Sequence, residues 1–317
     1  MIYSRSVDRA ELIGRIAKLL VEWGAGARAD VEQRVTVALA DAHDGEFADF
    51  GERLASTGKT WGYYPFDPIC RRISRLVHTL VLLPGSGLEA SDALTFARSH
   101  PVFFVANHLS YIDANVVDAL LVSGGFADVA DKATVLAGPK VFAMPIRRLA
   151  SLCFGTIKMP QSQSTASGEA VMPRREVARL ALETLASVEE RRGKGDHLMV
   201  FVEGTRSRTA AMQRVLPAAA RYFEGAGTQI VPLGLWGTEK LMPLETDTVV
   251  QSEVHVRVGH AIDAAELFAR AGGKRPVVAD ALGFLIADLL PPEYRGEYAT
   301  TAPGLEAARA AASSFDR

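Results

Sequence analysis

The segment Asn107–Asp113, Asn-His-Leu-Ser-Tyr-Ile-Asp, places an imidazole and a carboxylate five residues apart. A carboxylate on one imidazole nitrogen fixes the tautomer and stabilises the imidazolium, which leaves the other nitrogen as a general base. On a regular helix a five-residue step turns about 500°, leaving two side chains roughly 140° apart, so His108 and Asp113 cannot meet within one helix. They can meet if His108 lies in the loop entering a helix and Asp113 lies one turn inside. Such a pair is a catalytic dyad without a protein nucleophile. The same spacing also fits an N-terminal cap beside a solvated side chain.

A second segment, Phe201–Arg208 (FVEGTRSR), runs from apolar residues through Gly204 to a polar and basic stretch. Gly204 permits a sharp turn or a close backbone approach to a ligand, and Arg206 and Arg208 carry forked donors suited to a phosphate. A strand-ending turn with surface arginines has the same composition. The run Gly85-x-Gly87-x-x-Ala90 could pass for a dinucleotide fingerprint, but no acidic residue stands about twenty positions on, where the ribose would need it. A plain turn is expected there. The six histidines other than His108 (His43, His78, His100, His197, His255 and His260) show no mutual spacing of metal ligands, so no metal is expected.

The elements that must position these residues follow from the apolar pattern. Leu12, Ile13, Ile16, Leu19, Leu20 and Trp23 recur at helical spacing opposite Arg9, Arg15 and Lys18. After Gly24 and Gly26, Asp30 reads as the N-cap of a second helix through Val31 and Val35, and two or three short helices are expected up to Arg53. Tyr63–Pro68 reads as an aromatic, proline-broken joint. In the apolar stretch Ile73–Leu83, preceded by Arg71 and Arg72 and containing Arg75, two placements are open: core, or a bilayer surface with the arginines at headgroup level.

Beyond Pro84 strands and helices alternate. Strands are expected at Pro101–Ala106, Ala133–Ala137, His197–Val202, Gln229–Leu235 and Glu253–Val258. Helices are expected at Val116–Leu121, Arg174–Arg192, Gln213–Phe223 and Val277–Leu290, with a polar loop at Gln161–Gly168. This grammar predicts an α/β fold, a central mixed sheet flanked by helices and preceded by a small N-terminal helical domain, with strand ends carrying the site. The expected divisions are a helical region at 1–84, an α/β domain at 85–292 and a tail at 293–317.

Bulk properties narrow the function. The 317 residues are 48% hydrophobic and 23% charged, as in a packed globular protein. Lys+Arg at 35 against Asp+Glu at 37 give a net charge of -2, so no global positive field exists to collect nucleic acid. Cys70 and Cys153 are too far apart for a CxxC pair, which fits a reducing cytoplasm. The first residues lack the apolar region of a secretory signal and are too acidic for a transit peptide, and no run of about 18 apolar residues offers a membrane span. A lipid substrate would have to be met at the membrane surface.

Taken together, the two segments resemble the glycerolipid acyltransferase superfamily, the group that contains 1-acylglycerol-3-phosphate acyltransferases. That family's first motif is Asn-His, four residues, then Asp; its third is Phe-Pro-Glu-Gly-Thr-Arg-Ser, in which Val202 here replaces the proline. Ile230–Pro243 is similar to its fourth block, and Val256–Ile262 to the strand-Gly segment that follows, so the resemblance covers roughly 101–262.

The resemblance implies that His108 and Asp113 are the catalytic dyad, and that Asn107, Glu203, Gly204, Thr205 and Arg206 line the acceptor site. It implies transfer of an acyl chain from acyl-CoA or acyl carrier protein, as co-substrate and without a further cofactor, to a hydroxyl of a (lyso)phospholipid such as 1-acylglycerol-3-phosphate. Glycerol-3-phosphate, another lipid or glycolipid alcohol, or water in a thioester hydrolase are the alternatives. The expected setting is the cytoplasm, with peripheral contact at the inner face of the cytoplasmic membrane. The second motif departs from the family: in Phe154–Gln161 the only cation is Lys158, and Gln161 stands near the usual Arg. Lys158 is therefore the expected phosphate partner, with Lys140 a second candidate.

Overall fold

The computed structural model describes residues 8–161 and 171–315. The expected polar loop at Gln161–Gly168 lies, beyond Gln161, outside the described residues, as do the first seven residues.

Three helices open the chain: α1 (Arg9–Glu22), α2 (Arg28–Ala38) and α3 (Asp44–Ser56). Asp8 caps α1 by accepting from the Glu11 N–H, and the helix turns Leu12, Ile16, Ala17 and Leu20 inward. The start of α2 is earlier than expected. Ala27 is its N-cap and Asp30 lies in the first turn, where its charge suits the helix dipole. The joint at Tyr63–Pro68 contains strand β1 (Gly62–Tyr64), and Asp67 then caps α4 (Pro68–Val81), whose first residue is a proline with no N–H to lose.

In Ile73–Leu83 five of the eleven residues are buried, while Thr79 and Leu83 are exposed and the other four are partly so. Ile73, His78, Leu80 and Val81 are buried in α4. Its arginines are held internally: Arg75 forks onto Asp118 with both contacts at 2.9 Å and reaches Asp131, Arg71 also meets Asp131, and Arg72 meets Glu46. They are not arranged as a free headgroup-facing row.

The remaining strands are β2 (Gly87–Glu89), β3 (Phe103–Ala106), β4 (Ala133–Ala137), β5 (Gly155–Lys158), β6 (His197–Phe201), β7 (Gln229–Trp236), β8 (His255–Val258) and β9 (Ile262–Asp263). They form one mixed sheet in the order β1-β5-β4-β6-β3-β7-β8-β2, with β9 paired to β7. The run from β5 through β7 is parallel, while β1, β8 and β9 pair antiparallel with their neighbours and β2 lies parallel to β8. β3 sits at the centre, with Ala106 opposite Phe201 on one side and Leu233 on the other. Its side chains alternate between two cores: Phe104 and Ala106 join the layer that contains α1–α4, and Phe103 and Val105 face the other layer.

The connecting helices are α5 (Asp92–Ala97), α6 (Asp113–Ser123), α7 (Ala127–Ala130), α8 (Pro145–Ser151), α9 (Arg174–Gly193), α10 (Thr238–Leu241), α11 (Ala264–Arg270), α12 (Arg275–Ala287) and α13 (Glu306–Ser313). Two expectations are corrected. Gln213–Phe223 is not an α-helix: Gln213 and Leu216 spend their N–H groups on Glu203 and Val202, so only a 3₁₀ turn follows at Pro217–Phe223. The C-terminal segment is not a loose tail either, because α13 buries Ala308, Ala311 and Ala312 against α12. Small side chains there leave little apolar periodicity to read. Residues on both sides of position 84 share one sheet and one apolar core. Among the described residues, no helix is long and apolar enough to cross a membrane.

Candidate active site

The site gathers where parallel strands end. His108 follows β3 by two residues, Glu203 follows β6 by two, and Thr238 follows β7 across Gly237, whose φ of 90° makes the turn possible. The backbone of His108 is pinned from both sides: its N–H donates to Glu203 Oε1 at 2.8 Å, and its carbonyl accepts from the Ser207 N–H at 2.7 Å. Its ring stacks on Phe201, centroids 4.5 Å apart.

Asp113 is the first residue of α6 rather than one turn inside, and it is fully buried. Its Oδ2 accepts from His108 Nδ1 at 2.8 Å and from the N–H groups of Leu109 and Ser110 at 2.7 and 3.0 Å; Oδ1 accepts from Thr238 Oγ1 at 2.6 Å. Four donors hold this carboxylate in place. They fix Nδ1 of His108 as the protonated nitrogen, so Nε2 carries the lone pair. Among the described residues nothing bonds Nε2, and His108 lines a cleft of about 350 Å³.

That cleft is lined by the polar residues Ser110, Tyr111, Lys140, Thr205, Arg206 and Arg208 with Gly204, and by an apolar set, Leu136, Val200, Val202, Met159, Val177 and Tyr222, that forms its apolar extension. Arg206 is partly desolvated, which lowers its pKa, and its Nη1 is buried with no partner among the described residues. An unpartnered guanidinium nitrogen beside a base is a place for an anion. The backbone N–H groups of Thr205 and Arg206 likewise donate to no described residue, whereas that of Gly204 is spent on the Phe201 carbonyl.

The expected site residues divide. His108, Asp113, Gly204, Thr205 and Arg206 come together. Lys158 does not: its Nζ donates to the Gly58 carbonyl and rests 4.4 Å from the Trp61 ring centroid, outside the cleft wall, and burial lowers its pKa. Asn107 is fully buried and clamps β7, donating to the Leu235 carbonyl at 2.8 Å and accepting from the Leu235 N–H at 2.9 Å. Glu203 also faces backbone rather than ligand. It bridges the N–H groups of His108 and Gln213, and burial pushes its pKa up to about 7.

Two residues of the site escaped sequence reasoning. Thr238 lies 125 residues from the carboxylate it holds. Tyr111 sits inside the first motif, but its role comes from residues far along the chain: the guanidinium carbons of Arg206 and Arg147 lie 3.6 and 4.0 Å from its ring centroid. Two groups that close must occupy opposite faces. Arg147 spends its Nε on Asp247 at 2.8 Å.

An imidazole base fixed by a buried carboxylate and opening on a cleft that also holds a cation can take a proton from a hydroxyl or a water. Residues 87–236, from β2 to the end of β7, match the family described as Acyltransferase. The structure of the chain is similar to that of the 1-acyl-sn-glycerophosphate (LPA) acyltransferase PlsC from Thermotoga maritima. The two share 15% sequence identity and a TM-score of 0.46 over 89% of this chain and 97% of that one. None of the curated proteins is matched by the sequence.

Proposed function

We propose that the enzyme moves an acyl chain from an acyl thioester, acyl-CoA or acyl carrier protein, to the free hydroxyl of a lysophospholipid bearing a phosphate monoester, such as 1-acylglycerol-3-phosphate. The observation that carries this reading is the pairing of a free His108 Nε2 with the unpartnered Nη1 of Arg206 in one cleft. Nε2 takes the hydroxyl proton as the oxygen attacks the thioester carbonyl carbon, and Asp113 stabilises the imidazolium. The C–O bond forms, the carbonyl oxygen becomes an oxyanion, and the free N–H groups of Thr205 and Arg206 are the donors available to it. When the intermediate collapses, the C–S bond breaks and the imidazolium returns its proton to the departing thiolate. No protein nucleophile and no covalent intermediate are needed. The Arg206 guanidinium binds the acceptor phosphate. The chain acts in the cytoplasm, meeting its lipid acceptor at the inner face of the membrane.

A mass-spectrometric screen tests this reading. One acyl-CoA is offered with lysophosphatidate, glycerol-3-phosphate, a long-chain alcohol and diacylglycerol, and free fatty acid is measured alongside. The expected product is the diacyl phosphate, and His108→Ala should lower its rate by about 10² to 10⁴ while leaving the circular dichroism spectrum unchanged. Free fatty acid as the sole product would make the enzyme a hydrolase.

A further inference from the structure

Transfer to a lysolipid brings two hydrocarbon chains to one site: the chain in transfer and the chain the acceptor already carries. The cleft's apolar extension, through Leu136, Val200 and Tyr222, belongs to the core layer on one face of the sheet. On the other face lies a second, separate cavity of about 80 Å³ between α1, α4 and α8, lined by Leu19, Trp23, Val77, Ile146 and Leu149. Its walls are almost wholly apolar, and the cleft and this groove share Tyr111 and Asn115 as a common wall.

We infer that this groove takes the first methylenes of the chain already on the acceptor, and leaves the extension of the reaction cleft to the chain in transfer. The inference rests on the lysolipid reading above. The choice of occupant comes from charge. Tyr111, in the shared wall, carries Arg206 on one face and Arg147 on the other, and Arg147 also lines the groove. A chain that enters here lies beside Arg147, whose charge Asp247 offsets, and across the Tyr111 ring from Arg206, the cation of the reaction cleft. A monoacylglycerol phosphate has its phosphate one carbon from that hydroxyl and its chain on the other side, so head and tail both find a complement. An acyl thioester has no anion near its carbonyl; the phosphates of CoA lie beyond the pantetheine arm.

Val77 is half-buried and makes no polar contact, so Val77→Phe fills the groove without removing a bond. With 1-oleoyl-lysophosphatidate as acceptor, KM should rise about tenfold or more, as expected when two or three methylenes lose their burial at ~0.8 kcal/mol each. The calorimetric Kd for glycerol-3-phosphate, which has no chain, and KM for oleoyl-CoA should stay within about twofold. A rise in the oleoyl-CoA KM instead would assign the groove to the donor and overturn the inference. Calorimetric binding of 1-oleoyl-lysophosphatidate below its micellar concentration, in wild type and Val77→Phe, gives a readout that needs no turnover. Weaker binding in the variant supports the groove even if the screen finds no lysophosphatidate product, and equal binding in both proteins overturns it.

Discussion

Tyr111 keeps two like charges apart and in register, because an aromatic face attracts each guanidinium while the ring separates them. Replacing it with leucine removes both stacks, so Arg206 should lose its fixed direction. Cation-π contacts of about 0.5 to 2 kcal/mol correspond to roughly a 2- to 30-fold rise in KM for a phosphate-bearing acceptor, with kcat and the donor KM little changed. Tyr111→Phe keeps the ring and should restore the KM; failure of that rescue would mean the hydroxyl, not the face, matters. Glu203 makes a different prediction. Its folded pKa, about 7, lies above the ordinary carboxylate value of 4.5, and burial is the largest cause. A raised acid binds protons in the folded state that the unfolded chain has already released, so its contribution is greatest below pH 4.5 and is lost as pH rises through 7. Comparing wild type with Glu203→Gln by denaturant titration should show the wild-type advantage falling by ~3 kcal/mol across that window. A constant difference would mean Glu203 titrates normally.

At the scale of elements, the turn after β6 is set by Gly204, whose φ of 70° lies in the left-handed region. A Cβ there would come within 2.2 Å of Leu216 Cδ1, and Leu216 forms part of the cleft wall. Gly204→Ala should therefore cost about 1 to 2 kcal/mol from backbone conformation and also drive Leu216 into the cleft. Turnover should fall further than stability, and adding Leu216→Ala should recover turnover but not the melting temperature. No recovery would place the whole effect in the backbone. This turn also marks how far the sequence could be read. The His108–Asp113 pair was legible because both residues sit in one loop-to-helix entry, where spacing nearly decides geometry. Glu203 and Asn107 were misread as ligand-facing, since their partners lie 95 and 128 residues away and polar type alone does not say which way a side chain points. The long buried strands β4, β6 and β7 announced themselves by apolar runs. The three-residue strands β1 and β2 did not, being too short to show a period. Gln213–Phe223 failed for a third reason: its apolar spacing fits a helix, but its N–H groups are claimed by the motif turn.

Across the whole molecule, the helices before position 84 are built into the same core as the dyad. Arg75 of α4 neutralises Asp118 of α6, which is only 3% exposed, and α6 begins at Asp113. Ile69, Ile73 and Val81 belong to the same apolar cluster as Val116, Val117 and Leu121, and β1 covers the outer edge of β5. Cutting the chain at 84 would bare the apolar face of α6 and the outer edge of β5, at about 25 cal/mol for each Å² of apolar surface returned to water. An ordinary domain has only about 5 to 15 kcal/mol of stability to offset such a loss. A chain of residues 85–317 should therefore lack a cooperative unfolding transition, and the full chain should unfold as one unit. The three tryptophans allow the second point to be measured, since Trp23 and Trp61 report on the N-terminal elements and Trp236 on the end of β7. In variants that keep either Trp23 or Trp236 alone, fluorescence should give the same urea midpoint and the same slope. Separate midpoints, with the Trp23 signal lost first and acyl transfer surviving it, would make the N-terminal helices an independent domain and release the dyad from their support.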